Sequence, residues 1–325
     1  MDARAAQQPL EDGLRLIVSV VGENDAVEPA LVGEAPARDA APVLAARGLV
    51  VRYGRDVAVD GIDLTLRAGE VYALLGRNGS GKSSLVRALL GLQPIAAGQV
   101  ELLGRDPRRH RAALMHEIGY VPEEPQAPPE MTARQLASFC GGLRRRWDGD
   151  AFEQRLGRLG IPLDRRFRRL SRGQKKQVEL ALALAHRPPL VVLDDPTLGL
   201  DPLARRGFFG ELMAELADGG AAVLITTHDL AAVEGIADRI GILAAGKLLV
   251  DEPLETLRGR FRRLLLPPGR VDAVAHLRPL RQQARPWGVE VVVDGWSDDA
   301  AIAADARPMS LDEIFAALHA APEQP

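Results

Sequence analysis

The sequence predicts an α/β fold with four parts. They are a largely parallel sheet with helical crossovers, a smaller antiparallel sheet ahead of it, a helical insert and a small α+β unit at the C-terminal end. Three observations carry this. Between Pro42 and Leu257, apolar segments of strand length alternate with helix-length amphipathic segments, the order that builds a parallel sheet with right-handed crossovers. A glycine-rich loop stands between one such strand and a helical run. The texture then changes twice, to an Arg-rich helical stretch over 124–170 and to a less regular section from Arg258.

Taken in order, residues 1–41 are rich in Ala, Pro, Glu and Asp with little periodicity, and are expected to be a disordered extension. Within them LRLIVSVV, Leu14–Val21, is a candidate extra strand. A globular domain is expected over 42–257. Its early strands are VLAARGLVVRY, IDLTLRAG and VYALLG, and the close spacing of these strands predicts the antiparallel sheet. Its later strands are PLVVLDD, AAVLITT and RIGILAAGKLLV, with helical patterns at Ser83–Leu90, Gln174–Ala185 and Leu203–Leu216. The insert reads as MTARQLASFCGGLRRRW and AFEQRLGRLG. A small accessory domain is expected over 258–325. There DAVAHLRPLRQQA reads as a helix, VEVVVDGW as a strand, and Ser310 with Glu313 as a capping box opening the helix SLDEIFAALHA.

Composition narrows the function. Charged residues are 26% of the chain with a formal net charge of −3, so no nucleic-acid partner is expected. The arginine groups Arg144–Arg146, Arg165–Arg169 and Arg258–Arg263 read first as solvated helix faces; Arg144–Arg146 could instead face lipid headgroups or a membrane partner. The single cysteine, Cys140, excludes an intrachain disulfide, and its apolar helical surroundings (Leu136, Phe139) favour a packed thiol over a nucleophile. No run approaches the ~18–20 apolar residues of a membrane span. Leu14–Val21 is broken by Arg15 and Ser19 and follows the acidic Glu11 and Asp12, unlike a secretory leader. A membrane role would need a partner that crosses the bilayer.

Two segments carry chemistry. GRNGSGKSS, Gly76–Ser84, follows the strand VYALL and precedes a helical run. Gly76, Gly79 and Gly81 let backbone N–H groups close around phosphates, with Asn78, Ser80 and Ser84 completing the loop, and the helix N-terminus adds partial positive charge. Lys82 is placed for β- and γ-phosphates and Ser83 for Mg²⁺. The second segment is LVVLDDP, Leu190–Pro196, a buried strand ending in two carboxylates. Asp194 is placed for a hard cation and Asp195 for an attacking water. Alone, two aspartates after a strand also suit a turn or helix cap; beside a phosphate loop, the catalytic reading prevails.

LSRGQ, Leu170–Gln174, stands shortly before LVVLDDPTLGLDP. By itself it reads as a helix start with Ser171 as N-cap. In this order the motifs resemble those of ATP-binding cassette (ABC) ATPases, over about Val43–Val250. The resemblance implies a P-loop NTPase core of ABC type, ATP and Mg²⁺ as ligands, and ATP hydrolysis. It places Tyr53 against adenine, and Ser171, Gly173 and Gln174 at the γ-phosphate held by an opposite subunit. It puts Asp201 in a loop crossing the dimer interface, and His228 at the γ-phosphate as the switch histidine.

Three departures stand out. Glu123, in IGYVPEEP, replaces a glutamine and keeps an oxygen for Mg²⁺ or the water. Arg172 replaces the middle signature glycine. Asp195 replaces the catalytic glutamate and shortens its reach, which predicts slow hydrolysis.

LSRGQ, YVPEEP and MSLDEIFAAL are similar to antibiotic, multidrug or lipid exporter ATPases. This implies a separate polytopic membrane permease, a homodimer or a pairing with a related ABC ATPase subunit, and a cytoplasmic position at the inner membrane face. Two alternatives stay open: an ATP-gated regulatory module with weak hydrolysis, and a soluble ABC protein outside transport. ATP affinity compared with turnover separates the first, and an adjacent gene for a polytopic membrane protein would set transport apart from the second.

Overall fold

The structure is a computed structural model that describes residues 41–274, 276–296 and 305–320. The candidate strand Leu14–Val21 lies outside the described residues. In chain order the elements are β1 (Leu44–Tyr53), β2 (Asp56–Leu66), β3 (Val71–Leu75), α1 (Lys82–Leu89), β4 (Ala97–Leu102), α2 (Arg111–Glu117), β5 (Ile118–Val121), α3 (Ala133–Gly142), α4 (Gly149–Arg158), α5 (Arg172–Leu184), β6 (Leu190–Asp194), α6 (Pro202–Gly219), β7 (Ala222–Thr227), α7 (Leu230–Val233), β8 (Arg239–Ala244), β9 (Lys247–Pro253), α8 (Leu254–Arg260), β10 (Phe261–Leu266), β11 (Arg278–Arg285), β12 (Gly288–Asp294), β13 (Asp305–Pro308) and α9 (Leu311–Ala320). They form a six-stranded sheet of order β5-β6-β7-β3-β8-β9, a front sheet β2-β1-β4 and a C-terminal sheet β11-β12-β10-β13. The six-stranded sheet is parallel except for its edge strand β9.

Strand period sets the layers. Val71, Ala73 and Leu75 of β3 face one apolar cluster with Val191 and Leu193 of β6 and Val223 and Ile225 of β7. Tyr72, Leu74, Val192 and Leu224 face the opposite cluster, under the front sheet and α1. Both faces of these strands are therefore buried, which is why they read as continuous apolar runs. The sheet ends where β3, β6 and β7 stop side by side, and the loops that leave these ends carry the functional residues.

The helical insert has its own core, with Leu136, Phe152, Leu156 and Phe167 packed against Val178 and Ala181 of α5. Arg144 is tied into the protein and is not one of a solvated row. Its Nη1 donates to His186 Nε2 at 2.7 Å and reaches the carbonyls of His116 (3.2 Å) and Ile118 (3.4 Å). Burial, reinforced by this guanidinium, drives the His186 imidazole down to about 3, so the ring stays neutral and accepts. Arg144→Ala would leave these acceptors unpaired. An expected loss of about 2–4 kcal/mol in unfolding free energy, measured in urea, checks this, and Lys at this position recovers only part because it lacks the planar fork. Arg155 is likewise buried and pairs with Glu211 at 3.2 Å. Cys140 is half-buried, and burial raises its thiol pKa.

The C-terminal section departs from its sequence reading in one element. Among the described residues of 272–284 no α-helix forms; a 3-10 turn at Val271–Val274 precedes strand β11. Pro279 sits in this edge strand beside a register irregularity, the kind of position that tolerates its missing N–H. The capping box holds as expected: Ser310 N donates to Glu313 Oε2 (2.9 Å) and Glu313 N to Ser310 Oγ (3.3 Å). Helix α8 spans the boundary expected at 257/258. Phe261, Val292, Leu311 and Ile314 join the same apolar cluster as Val233 and Leu257, so the C-terminal sheet and helix share a core with the main sheet. Among the described residues no helix is long and apolar enough to cross a membrane.

Candidate active site

The glycine loop begins where β3 ends and runs into α1. Gly79 (φ 80°) and Gly81 (φ 109°) take left-handed backbone conformations, which only glycine adopts without strain. A Cβ on Gly81 would lie 2.2 Å from the Ala58 carbonyl oxygen, and one on Gly76 2.6 Å from that of Leu243. The cradle thus exists only with glycine. Lys82 is buried and folds back across it, donating to the carbonyls of Gly76 (2.7 Å) and Arg77 (3.2 Å). Burial lowers its pKa, opposed by the charges of Asp195, Asp194 and Glu123.

Asp194 and Asp195, at the end of β6, are both buried. Thr226, at the end of the neighbouring β7, orders the pair with one hydroxyl: Oγ1 donates to Asp194 Oδ1 at 2.6 Å and accepts from Asp195 N at 3.0 Å. Ser83 Oγ donates to the same Asp194 oxygen at 3.4 Å. Asp195 has φ 41°, a left-handed conformation rare outside glycine; such strain is typical of functional sites and costs about 1–3 kcal/mol. The turn brings Asp195 Oδ2 to 2.7 Å from His228 Nδ1. Its Oδ1 is buried without a partner, as is Ser80 Oγ.

Tyr53 is 45% exposed, and its hydroxyl is 3.3 Å from Ser84 Oγ, so an aromatic face stands beside the loop. Ser171, Gly173, Gln174 and Asp201 are grouped elsewhere by their contacts. Ser171 and Gln174 form a reciprocal capping box at the start of α5 (3.1 and 3.2 Å). Asp201 caps α6 through Leu203 N (3.0 Å) and Ala204 N (2.9 Å). A Cβ on Gly173 would lie 3.0 Å from Ala204 Cβ, so the two helix starts pack together. Three residues were not singled out from the sequence. Thr226 stood in plain view in ITTHD. Lys176 and Glu179 were signalled only by charge in an otherwise apolar helix.

The arrangement fits a nucleoside triphosphate with a hard cation. Glycine-lined backbone, a buried lysine and two unpartnered buried oxygen atoms converge on it, and Ser83 and Asp194 offer oxygen ligands only. Among the described residues no group of three or more His, Cys, Asp or Glu could hold a metal alone.

Comparison with known proteins agrees. The family model described as ABC transporter matches residues 59–198, and one described as AAA domain, putative AbiEii toxin, Type IV TA system matches the overlapping 163–234. An ABC transporter ATP-binding protein of Streptomyces avermitilis is 41% identical over 231 residues, 67% of this chain and 40% of that one. The bacitracin transport ATP-binding protein BcrA of Bacillus licheniformis is 30% identical over 219 residues, 67% of this chain and 72% of that one. The hemin import ATP-binding protein HmuV of Streptomyces coelicolor is 36% identical over 228 residues, 67% of this chain and 80% of that one. A solved ATP-binding subunit of an ABC transporter superposes with a TM-score of 0.61 at 27% identity, covering 66% of this chain and 92% of the other. The chain belongs to the ATP-binding proteins of the ABC transporter family, a family of ATPases. It spans less than half the length of the Streptomyces avermitilis relative.

Proposed function

We propose that this chain binds ATP with Mg²⁺, hydrolyses it to ADP and phosphate, and powers export through a separate polytopic membrane subunit from the cytoplasmic side of the membrane. The observation that carries the hydrolytic reading is the pair Asp194–Asp195, ordered by one threonine hydroxyl and set against the phosphate loop. In this reading Tyr53 stacks on the base, and the loop N–H groups with Lys82 hold the phosphates. Ser83 and Asp194 hold the cation, with Glu123 as a further oxygen. Bound there, Mg²⁺ would supply charge neutralisation for the phosphates. Asp195 orients the attacking water and draws its proton, and His228, positioned by Asp195, reaches the γ-phosphate. Catalysis is then positioning and charge stabilisation. The similarity to linearmycin and daunorubicin resistance ATP-binding proteins supports export, while another relative is named for hemin import; LSRGQ and YVPEEP tip the reading towards export. A regulatory cassette of weak turnover is the second reading, favoured by the Asp195 departure and its engagement with His228.

The signature residues group with one another, which supports a sandwich in which Ser171 and Gly173 meet the nucleotide of a second cassette. Asp195→Asn with ATP and Mg²⁺ is expected to sediment as a dimer, and the nucleotide-free protein as a monomer. Monomer in both conditions, with a related cassette and the membrane subunit also tried, would exclude the sandwich. Phosphate release by the purified chain, abolished by EDTA, tests hydrolysis itself.

A further inference from the structure

One face of the helix that starts at the signature is occupied by charge. Arg172, Lys176 and Glu179 lie at i, i+4 and i+7 of α5, the spacing that aligns side chains along a single stripe. Each is spent on the short segment around Glu123. Lys176 is fully buried and donates to the Pro122 carbonyl. Arg172 pairs with Glu124 at 2.9 Å. Glu179, also buried, accepts from the Gln126 backbone N–H at 2.7 Å. Residues 122, 124 and 126 are thus held by the helix, while Glu123 lies between the first two, two residues beyond Val121, which pairs with Leu193 beside Asp194 at the end of β6.

Stability alone is a poor reason for this arrangement. Two buried charged groups carry a large desolvation penalty, and an apolar pair of the same volume would often serve the fold as well or better. The penalty is visible at both: burial lowers the Lys176 pKa, against the pull of Glu179, Glu124 and Asp194, and pushes Glu179 up to about 7, against Lys176 and the Gln126 and Ala127 N–H groups. Arg172 also lies on the crossing loop, where a Cβ on Gly199 would sit 2.8 Å from its Nη1. The residue that replaces a signature glycine therefore touches both the Glu123 segment and the loop leading to Asp201.

We propose that Arg172, Lys176 and Glu179 form a positioning clamp that fixes Glu123 to the signature helix, so that the placement of this carboxylate at one nucleotide is set by the engagement of the signature with the other. The clamp rests on the function proposed above. It makes the segment 122–127 and the signature helix one moving body, and gives two sites in a sandwich a route for communication through residues of a single chain. These three side chains are positioning residues; none touches nucleotide in this scheme.

Two readouts on the full chain test it. In nucleotide-free protein, Glu179→Ala is expected to speed hydrogen exchange of the Gln126 and Ala127 amides about tenfold relative to amides of β7, while Glu179→Gln, which keeps an acceptor oxygen, stays within about threefold of the natural protein. With ATP, Mn²⁺ serves as the probe cation for phosphate release. Its half-saturating concentration is expected to rise about fivefold in Glu179→Ala and Lys176→Met and about threefold in the exposed Arg172→Ala, with cation-free ATP affinity changed less than about twofold. Glu123→Gln is expected to reproduce the Mn²⁺ shift without the exchange change. Unchanged exchange at Gln126 and Ala127 in Glu179→Ala, or unchanged Mn²⁺ half-saturation in Arg172→Ala, overturns the clamp. Should Glu179→Ala unfold, Arg172→Ala decides. A natural protein that binds no ATP would instead overturn the proposed function, and the exchange measurement would still judge the clamp's hold on the segment.

Discussion

Lys82→Ala is expected to lose ATP binding by about 10²-fold and hydrolysis by about 10³-fold or more, with the fold retained. The size follows from where the ammonium stands. It is buried, it bridges the carbonyls of Gly76 and Arg77 across the mouth of the loop, and three carboxylates act on it. Charge-assisted contacts in a desolvated site are worth far more than in water. With the lysine gone, the negative charges of Asp194, Asp195 and Glu123 would no longer be opposed by its ammonium when phosphates enter. Fold retention follows from the packing of α1, whose Leu85, Val86 and Leu89 remain buried under the front sheet. Binding of a fluorescent ATP analogue and phosphate release, each beside a thermal melt, check this. A folded variant with natural affinity and turnover would remove the phosphate-loop assignment.

Much of this site was legible because its chemistry is local. A cradle needs glycines at fixed offsets, and the strand that delivers Asp194 is a continuous apolar run, so adjacent residues carry the signal. Pairings across the chain were not legible. Arg144 reads as one of three surface arginines until its acceptor appears 42 residues later at His186. Glu179 reads as a helix surface charge until its partner appears 53 residues earlier at Gln126. Thr226 has no local signature at all, since its role depends on β6 and β7 ending side by side. The segment 272–284 misled for a different reason. Its arginines and glutamines suit a helix by propensity, and the edge position that admits Pro279 into a strand is a property of the sheet. The fold therefore followed from periodicity, the first ring of the site from motif spacing, and the supporting ring only from tertiary contact.

On the proposed mechanism Asp195 sets how fast this cassette runs. The carboxylate hangs on a strand end held by two bonds from its own N–H, to the Thr226 carbonyl and hydroxyl, both at 3.0 Å. The backbone is therefore fixed, and reach depends on the side chain alone. Asp195→Glu adds one methylene and is expected to raise turnover about tenfold or more, with ATP affinity nearly unchanged, because misplacement of about 1 Å can cost about 10² in rate. Two structural terms oppose the gain. The left-handed φ of 41° suits aspartate better than glutamate, a difference on the order of 1 kcal/mol or less that weakens the fold without raising the chemical barrier. The 2.7 Å contact with His228 would also have to be remade by the longer side chain. Against these stands a gain of about 1.4 kcal/mol in barrier for each factor of ten, so the expected balance favours glutamate. Asp195→Ala should bind ATP normally and fall about 10²-fold or more in turnover, the usual cost of losing a positioned base. Steady-state phosphate release by the three proteins, with the membrane subunit present, reads the outcome. Natural turnover in Asp195→Ala would show that the base lies elsewhere. A slower Asp195→Glu would show that the left-handed turn and His228 form a site built for aspartate, in which the shorter carboxylate is an adaptation and not a loss.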